Sequence, residues 1–187
     1  MRQIGASDQQ PEGRFFPSTY FYLHHTRDTE LLTRAYREMQ RVLDAAWQTR
    51  ARDLPYSTAY DALIMASIIE KETARTDERR AIAGVFVRRL QQGMKLQTDP
   101  TVIYGLGSAF DGNLRRADLR RDTPFNTYTR FGLPPTPIAM PGAHAIGAAL
   151  NPAPGTALYF VARGDGSHEF SDTLAAHQKA VRQYQLK

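Results

Sequence analysis

A chain of 187 residues with 42% hydrophobic content and no cysteine is long enough to bury a core, and it forms neither disulfides nor thiolate metal sites. No apolar stretch approaches the roughly 20 residues of a bilayer-spanning helix, and the polar start Met1–Arg14 lacks the hydrophobic core of a signal peptide. The net charge of +5, carried by 20 Arg and 4 Lys against 19 acids, suits a solvated basic surface or an acidic polymer, either nucleic acid or a carboxylate-bearing glycan.

Residues 1–27 mix Pro, Gly and aromatics, and Phe15-Phe16-Pro17-Ser18-Thr19-Tyr20-Phe21-Tyr22 reads as an extended, partly buried opening segment. From Asp28 to about Arg50, the spacing of Leu31, Leu32, Ala35, Met39, Val42, Leu43 and Ala46 predicts an amphipathic helix with Asp28 as N-cap. Pro55 ends it, and Ser57 or Thr58 caps the next helix. Its apolar run, Ala62 to Ile69, stops abruptly at Glu70. In a helix Glu70 lies one turn beyond Ala66 and Ser67, on the face that must be buried. A carboxyl carried into an apolar setting resists ionisation, which is the state a general acid needs near neutral pH. Glu72 is expected on the opposite side, facing solvent. The same spacing also fits a core helix whose polar end simply begins at Glu70.

A third helix is predicted to start near Thr76-Asp77-Glu78, where acids complement the helix dipole, with Ile82, Val85, Phe86 and Leu90 as its buried stripe and Gly93 closing it. From Met94 to Gly142 glycines and prolines predict a long, largely irregular but ordered region, because Val102, Ile103, Tyr104, Phe110, Phe125, Tyr128 and Phe131 argue against disorder. A short helix follows over Ala143–Leu150. Leu158–Ala162 then reads as a buried strand, Gly164-Asp165-Gly166 as a hairpin turn, and His168-Glu169-Phe170 as the return. Ser171 is the predicted cap of a last helix with Leu174, Val181 and Tyr184 inward.

Metal binding finds little support. His24 and His25 are adjacent and point apart in an extended segment, and His168 and His177 straddle an element boundary. Gly105-Leu106-Gly107-Ser108 lacks the serine-nucleophile pattern. Arg115–Asp122 interleaves arginine with aspartate and reads as a solvated stretch, and no nucleic-acid recognition motif is present. One polar set remains: Glu70, Gln97, Thr98, Asp99, Asn126, Thr127 and Tyr128. Amides and hydroxyls bond a sugar's ring substituents, and an aromatic face covers its apolar side.

Ala66–Thr73, then Leu96-Gln97-Thr98-Asp99-Pro100-Thr101-Val102-Ile103-Tyr104-Gly105, Pro124-Phe125-Asn126-Thr127-Tyr128, Gly132–Ile138, Pro141-Gly142, Leu158–Ala162, Gly164-Asp165-Gly166, His168, Phe170 and His177 together resemble the YceG-like family of bacterial endolytic murein transglycosylases. The likeness runs in order and register from about Glu12 to the C-terminus. It implies a lyase that cuts peptidoglycan glycan strands between N-acetylmuramic acid and N-acetylglucosamine, without cofactor or metal. Glu70 matches the family's catalytic glutamate, serving first as acid and then as base to leave a 1,6-anhydro end. One carboxyl suffices, in contrast to ordinary glycosidases. Gln97, Thr98, Asp99, Asn126 and Tyr128 are expected around the cleft, although Asp99 also fits a turn cap before Pro100. Glu12 matches an acidic motif position, with Arg14 where the family usually has an aromatic residue.

Full-length members carry a membrane anchor and a LysM-like region. Residues 1–11 are therefore expected to be the remnant of a preceding region and 12–187 a catalytic domain working in the periplasm at the inner membrane, with peptidoglycan synthases as partners suggested by the family. The expected fold is α+β, several helices on a small, mainly antiparallel sheet with the long ordered loop region. Hydrolysis assisted by Asp99, Glu72 or Glu12, and murein binding without cleavage, stand as alternatives. Pyridoxal-phosphate chemistry is set aside, because Lys71 is off the Glu70 face and no lysine accompanies a phosphate loop.

Overall fold

The computed structural model describes residues 1–186, an α+β arrangement of seven α-helices and one two-stranded antiparallel sheet among them. The first helix, α1 (Asp28–Gln48), buries Ala35, Tyr36, Met39 and Leu43 along its apolar stripe. Arg27 occupies its N-cap, and Asp28 is the first helical residue, with its carboxylate accepting from the Thr29 N–H. Ahead of it, the Phe16 N–H bonds the Ala35 carbonyl at 3.0 Å, whereas Phe21, Tyr22 and Leu23 are exposed. The partly buried character predicted for the opening segment therefore stops at Tyr20. Residues 1–11 lie against α1: Ala6 is buried, and Gln9 Oε1 accepts from the Tyr36 hydroxyl at 2.9 Å.

Thr58 starts α2 (Ala59–Glu72) with a reciprocal capping box: its hydroxyl accepts from Asp61 N–H, and the Asp61 carboxylate accepts from Thr58 N–H. Every residue from Ala62 to Ile69 is buried. A helix that is apolar all round has no solvent face and needs neighbours on every side. Those neighbours are α1, α3 (Arg79–Gln91), α4 (Asp99–Leu106) and α6 (Ala143–Leu150). Ser67, the one polar member of the run, bonds the Ile64 carbonyl and accepts from Ile138 N–H at 2.9 Å, so burial leaves its hydroxyl satisfied. Ile82, Val85 and Phe86 of α3 pack inward as predicted, and Gly93 follows the helix at φ 64°.

The stretch from Met94 to Gly142 is more regular than its composition predicts. It contains α4 and the short α5 (Arg116–Arg120). Pro100 falls in the first turn of α4, where its missing N–H costs nothing, so a residue read as a turn signal opens a helix. β1 (Tyr159–Ala162) and β2 (His168–Ser171) form the predicted hairpin, with Tyr159 opposite Ser171 and Ala162 opposite His168. Thr173, not Ser171, caps α7 (Leu174–Tyr184), its hydroxyl accepting from Ala176 N–H. The later start turns Leu174 outward, 52% exposed, and buries Ala180 instead.

Candidate active site

The C-terminal end of α2, the 96–99 segment, α3, the β1–β2 hairpin and α7 enclose a cavity of about 400 Å³. Two carboxyls line it, Glu72 and Asp99. Thr98, 1% exposed, lies beneath and donates its hydroxyl to Glu72 Oε1. Thr98 is itself pinned, its N–H bonding Thr127 Oγ1 at 3.1 Å while Gln97 N–H bonds the Thr127 carbonyl at 3.2 Å. These bonds hold Gln97 at φ 53°, a left-handed conformation that a non-glycine residue adopts at some cost. Burial pushes the Glu72 carboxyl up to about 7; the Thr98 hydroxyl bond opposes the rise, nearby Asp99 adds to it, and His168 works against it.

Asp99 and Tyr128 line the same cavity, and the Tyr128 hydroxyl donates to Asp99 Oδ1 at 2.5 Å. Burial first, and then this bond, hold the phenol well above its ordinary range. His168 enters from β2, and its ring orientation is fixed from behind. Its Nδ1 lies 2.7 Å from Glu78 Oε2, and its backbone N–H bonds Glu78 Oε1.

The remaining predicted site residues lie elsewhere. Glu70 does not line the cavity. Arg79 Nη2 donates to its Oε1 at 3.0 Å and the Gly142 N–H to its Oε2 at 3.0 Å, tying α2 to α3 and to the start of α6. Asn126 is wholly buried. Its Nδ2 donates to the carbonyls of Leu119 and Arg121 at 3.2 and 2.7 Å, and its Oδ1 accepts from Tyr128 N–H, so the amide organises its own loop. Glu12 accepts from the Tyr104 hydroxyl at 3.3 Å, on a part of the surface outside the cavity. Gln97, Asp99 and Tyr128 are thus brought together, and Thr98 supports them from below.

The expectation that Glu72 faces solvent is corrected: two residues on from Glu70 it does point to the other side, but that side is covered as well. The signal was present in the unbroken apolar run Ala62–Ile69, which leaves α2 no polar face. Sequence reasoning also missed the cavity roles of His168 and Arg89. His168 falls inside a quoted motif, while Arg89 carried no distinguishing pattern. Among the described residues no cluster of three or more acidic, His or Cys side chains forms a metal site, and no helix is long and apolar enough to cross a membrane.

Residues 2–183 match the sequence profile of the YceG-like family. The chain belongs to the YceG-like family. It is 38% identical over 173 residues to the endolytic murein transglycosylase of Bacillus subtilis (strain 168), an alignment covering 92% of this chain and 48% of that protein. The protein of the same name from Streptococcus pneumoniae (strain D39) is 32% identical over 180 residues, covering 92% of this chain and 32% of the relative. The chain therefore spans half or less of the length of these curated relatives. A crystal structure of a YceG-like protein from Listeria monocytogenes matches with a TM-score of 0.75 and 34% identity, covering 95% of this chain and 58% of that one.

Proposed function

We propose that this YceG-like chain is the catalytic part of a peptidoglycan lytic transglycosylase, and that Glu72, rather than the sequence-predicted Glu70, is its acid and base. The observation that carries the reading is one carboxyl, raised to about 7, inside a cavity with an amide, a phenol and an imidazole around it. The relatives' name, endolytic murein transglycosylase, supports the substrate. Glu70 has both oxygens occupied by donors from α3 and the α6 start, which suits a tether between elements.

Protonated Glu72 donates to the glycosidic oxygen between N-acetylmuramic acid and N-acetylglucosamine, and the C1–O bond breaks as an oxocarbenium-like centre develops. The resulting carboxylate, held by the Thr98 hydroxyl, takes the proton of the same muramic residue's C6 hydroxyl. O6 closes on C1 to leave a 1,6-anhydro end. No water is consumed, and Glu72 returns to its starting protonation state. Gln97 and the Asp99–Tyr128 pair are placed to bond sugar hydroxyl and acetamido groups. In the same reading the full-length protein is anchored in the inner membrane, works on nascent strands in the periplasm, and has peptidoglycan synthases for neighbours.

Hydrolysis is the second reading, favoured by Asp99, a further carboxyl on the cavity wall that would activate water. Mass spectrometry of the products from peptide-free glycan strands tests both. The expected products end in 1,6-anhydro-muramic acid. Hydrated reducing ends would replace the lyase with a hydrolase, and binding without cleavage would replace both with a murein-binding module.

A further inference from the structure

We propose that Gln97 reads a sugar's 2-acetamido group in the cavity, so that N-acetylated glycan strands are bound and de-N-acetylated ones are refused. The assignment deepens the glycan reading above and rests on it. Gln97 is exposed and lines the cavity. Among the described residues, Gln97 and Asp53 are the only non-glycine residues with a left-handed backbone, at φ 53° and 60°. Aspartate visits that region readily, because its short side chain bonds the local backbone. Glutamine has no such compensation.

The segment carrying Gln97 is clamped from two sides. Arg89, 7% exposed, donates from Nη1 to the carbonyls of Lys95 and Leu96 at 3.1 and 2.7 Å, and from Nε to the Leu158 carbonyl at 2.7 Å. Opposite it, the Thr127 carbonyl accepts from Gln97 N–H and the Thr127 hydroxyl oxygen from Thr98 N–H. Leu96 and Thr98, on either side of Gln97, are buried. The clamp uses only the backbone of position 97, which glycine would supply without strain. A glutamine held there against its conformational preference is a side chain kept for a task other than the fold.

The chemistry of that side chain narrows the task. Arginine only donates, so the amide atom 3.5 Å from Arg89 Nη1 is Oε1, and Nε2 takes no acceptor from the described residues. A guanidinium beside Oε1 polarises the amide and strengthens Nε2 as a donor. An acetamido carbonyl is the matching acceptor, and Phe160, Leu174 and Val181 give the same cavity apolar surface for the acetyl methyl. A sugar hydroxyl would use the donor but not the apolar wall. A de-N-acetylated sugar carries an amine instead and loses carbonyl and methyl together.

Binding measured by calorimetry at pH 7, in a Glu72→Gln background that prevents turnover, tests the assignment. The probes are a peptide-bearing murein tetrasaccharide, the same tetrasaccharide stripped of its N-acetyl groups, and the stripped sample re-acetylated. The acetylated and re-acetylated probes are expected to bind about 10-fold or more tightly than the stripped one. Adding Gln97→Gly is expected to cut that ratio to about 2-fold or less while the thermal midpoint holds or rises, because the strain is relieved. Gln97→Glu, which keeps the length and replaces the donor with an acceptor, is expected to lose the ratio as well. Equal affinity for acetylated and stripped probes, an undiminished ratio in Gln97→Gly, or a lowered midpoint in that variant would overturn the assignment and leave the glycan reading standing. No binding to any probe would overturn both.

Discussion

Glu70 and Glu72 close the same helix two residues apart, about 200° around its axis, and meet different surroundings. On the Glu70 side, the α6 start and α3 bring an arginine and a backbone N–H to the two carboxylate oxygens. On the Glu72 side, the covering segment brings one hydroxyl, a neighbouring acid and otherwise desolvation. The same residue type on the same element meets two donors in one place, and one donor with a raised pKa in the other. What a carboxyl can do is set by the number of donors its cover supplies, more than by the helix that carries it.

The difference has consequences for stability. Glu72 has an ordinary value of 4.5 and about 7 when folded, so between those values the folded chain binds more protons than the unfolded one. Stability contributed by the neutral carboxyl is full below pH 4.5 and falls as pH rises to about 7. The whole effect is up to about 3 kcal/mol. Glu72→Gln removes the penalty, so its unfolding free energy relative to the parent is expected to grow from pH 4.5 to pH 8 in denaturant titrations. A flat difference would place Glu72 in water. The cleavage rate should hold across that window and fall only through and above about pH 7, where the folded protein loses its acid.

On the other side, Glu70→Ala leaves Arg79 without its partner and the Gly142 N–H without its acceptor. Arg79 has a side chain only 12% exposed. A cost of about 2 kcal/mol is expected in chemical denaturation, with the pH profile of cleavage unmoved. A displaced profile would mean that the two sides are chemically coupled. The smallest effect is expected from Thr98→Val, which keeps the shape and deletes the hydroxyl bond to Glu72. That bond favours the charged carboxyl, so its loss raises the Glu72 pKa further and carries the alkaline limb of the rate profile upward, at a stability cost of about 1 kcal/mol.

Much of the frame was legible in the residues. α1, α6 and the hairpin follow from periodicity and turn chemistry, and Thr58 marked the start of α2. α4 was not legible, because Asp99-Pro100 signals a turn and a helix start equally well until the following residues are seen to pack. The Gln97-Thr98-Asp99 and Tyr128 motifs pointed to the cavity, whereas Asn126 in the same motif serves backbone carbonyls. A polar residue in a long loop is as useful to the loop as to a ligand, and spacing does not separate the two uses. Which donors meet Glu70 and which meet Glu72 was set by what lies across from the helix end, contributed by segments 26 to 72 residues away in sequence.

The most direct measurement is the yield of 1,6-anhydro-muramic ends from peptide-free glycan strands for the parent, Glu70→Gln and Glu72→Gln, with folding of each verified by its thermal transition. Glu72→Gln is expected to lose at least about 100-fold in rate while Glu70→Gln stays within about 10-fold of the parent. A folded Glu70→Gln that is inactive beside an active Glu72→Gln would contradict the assignment and return the acid to the tether side of α2.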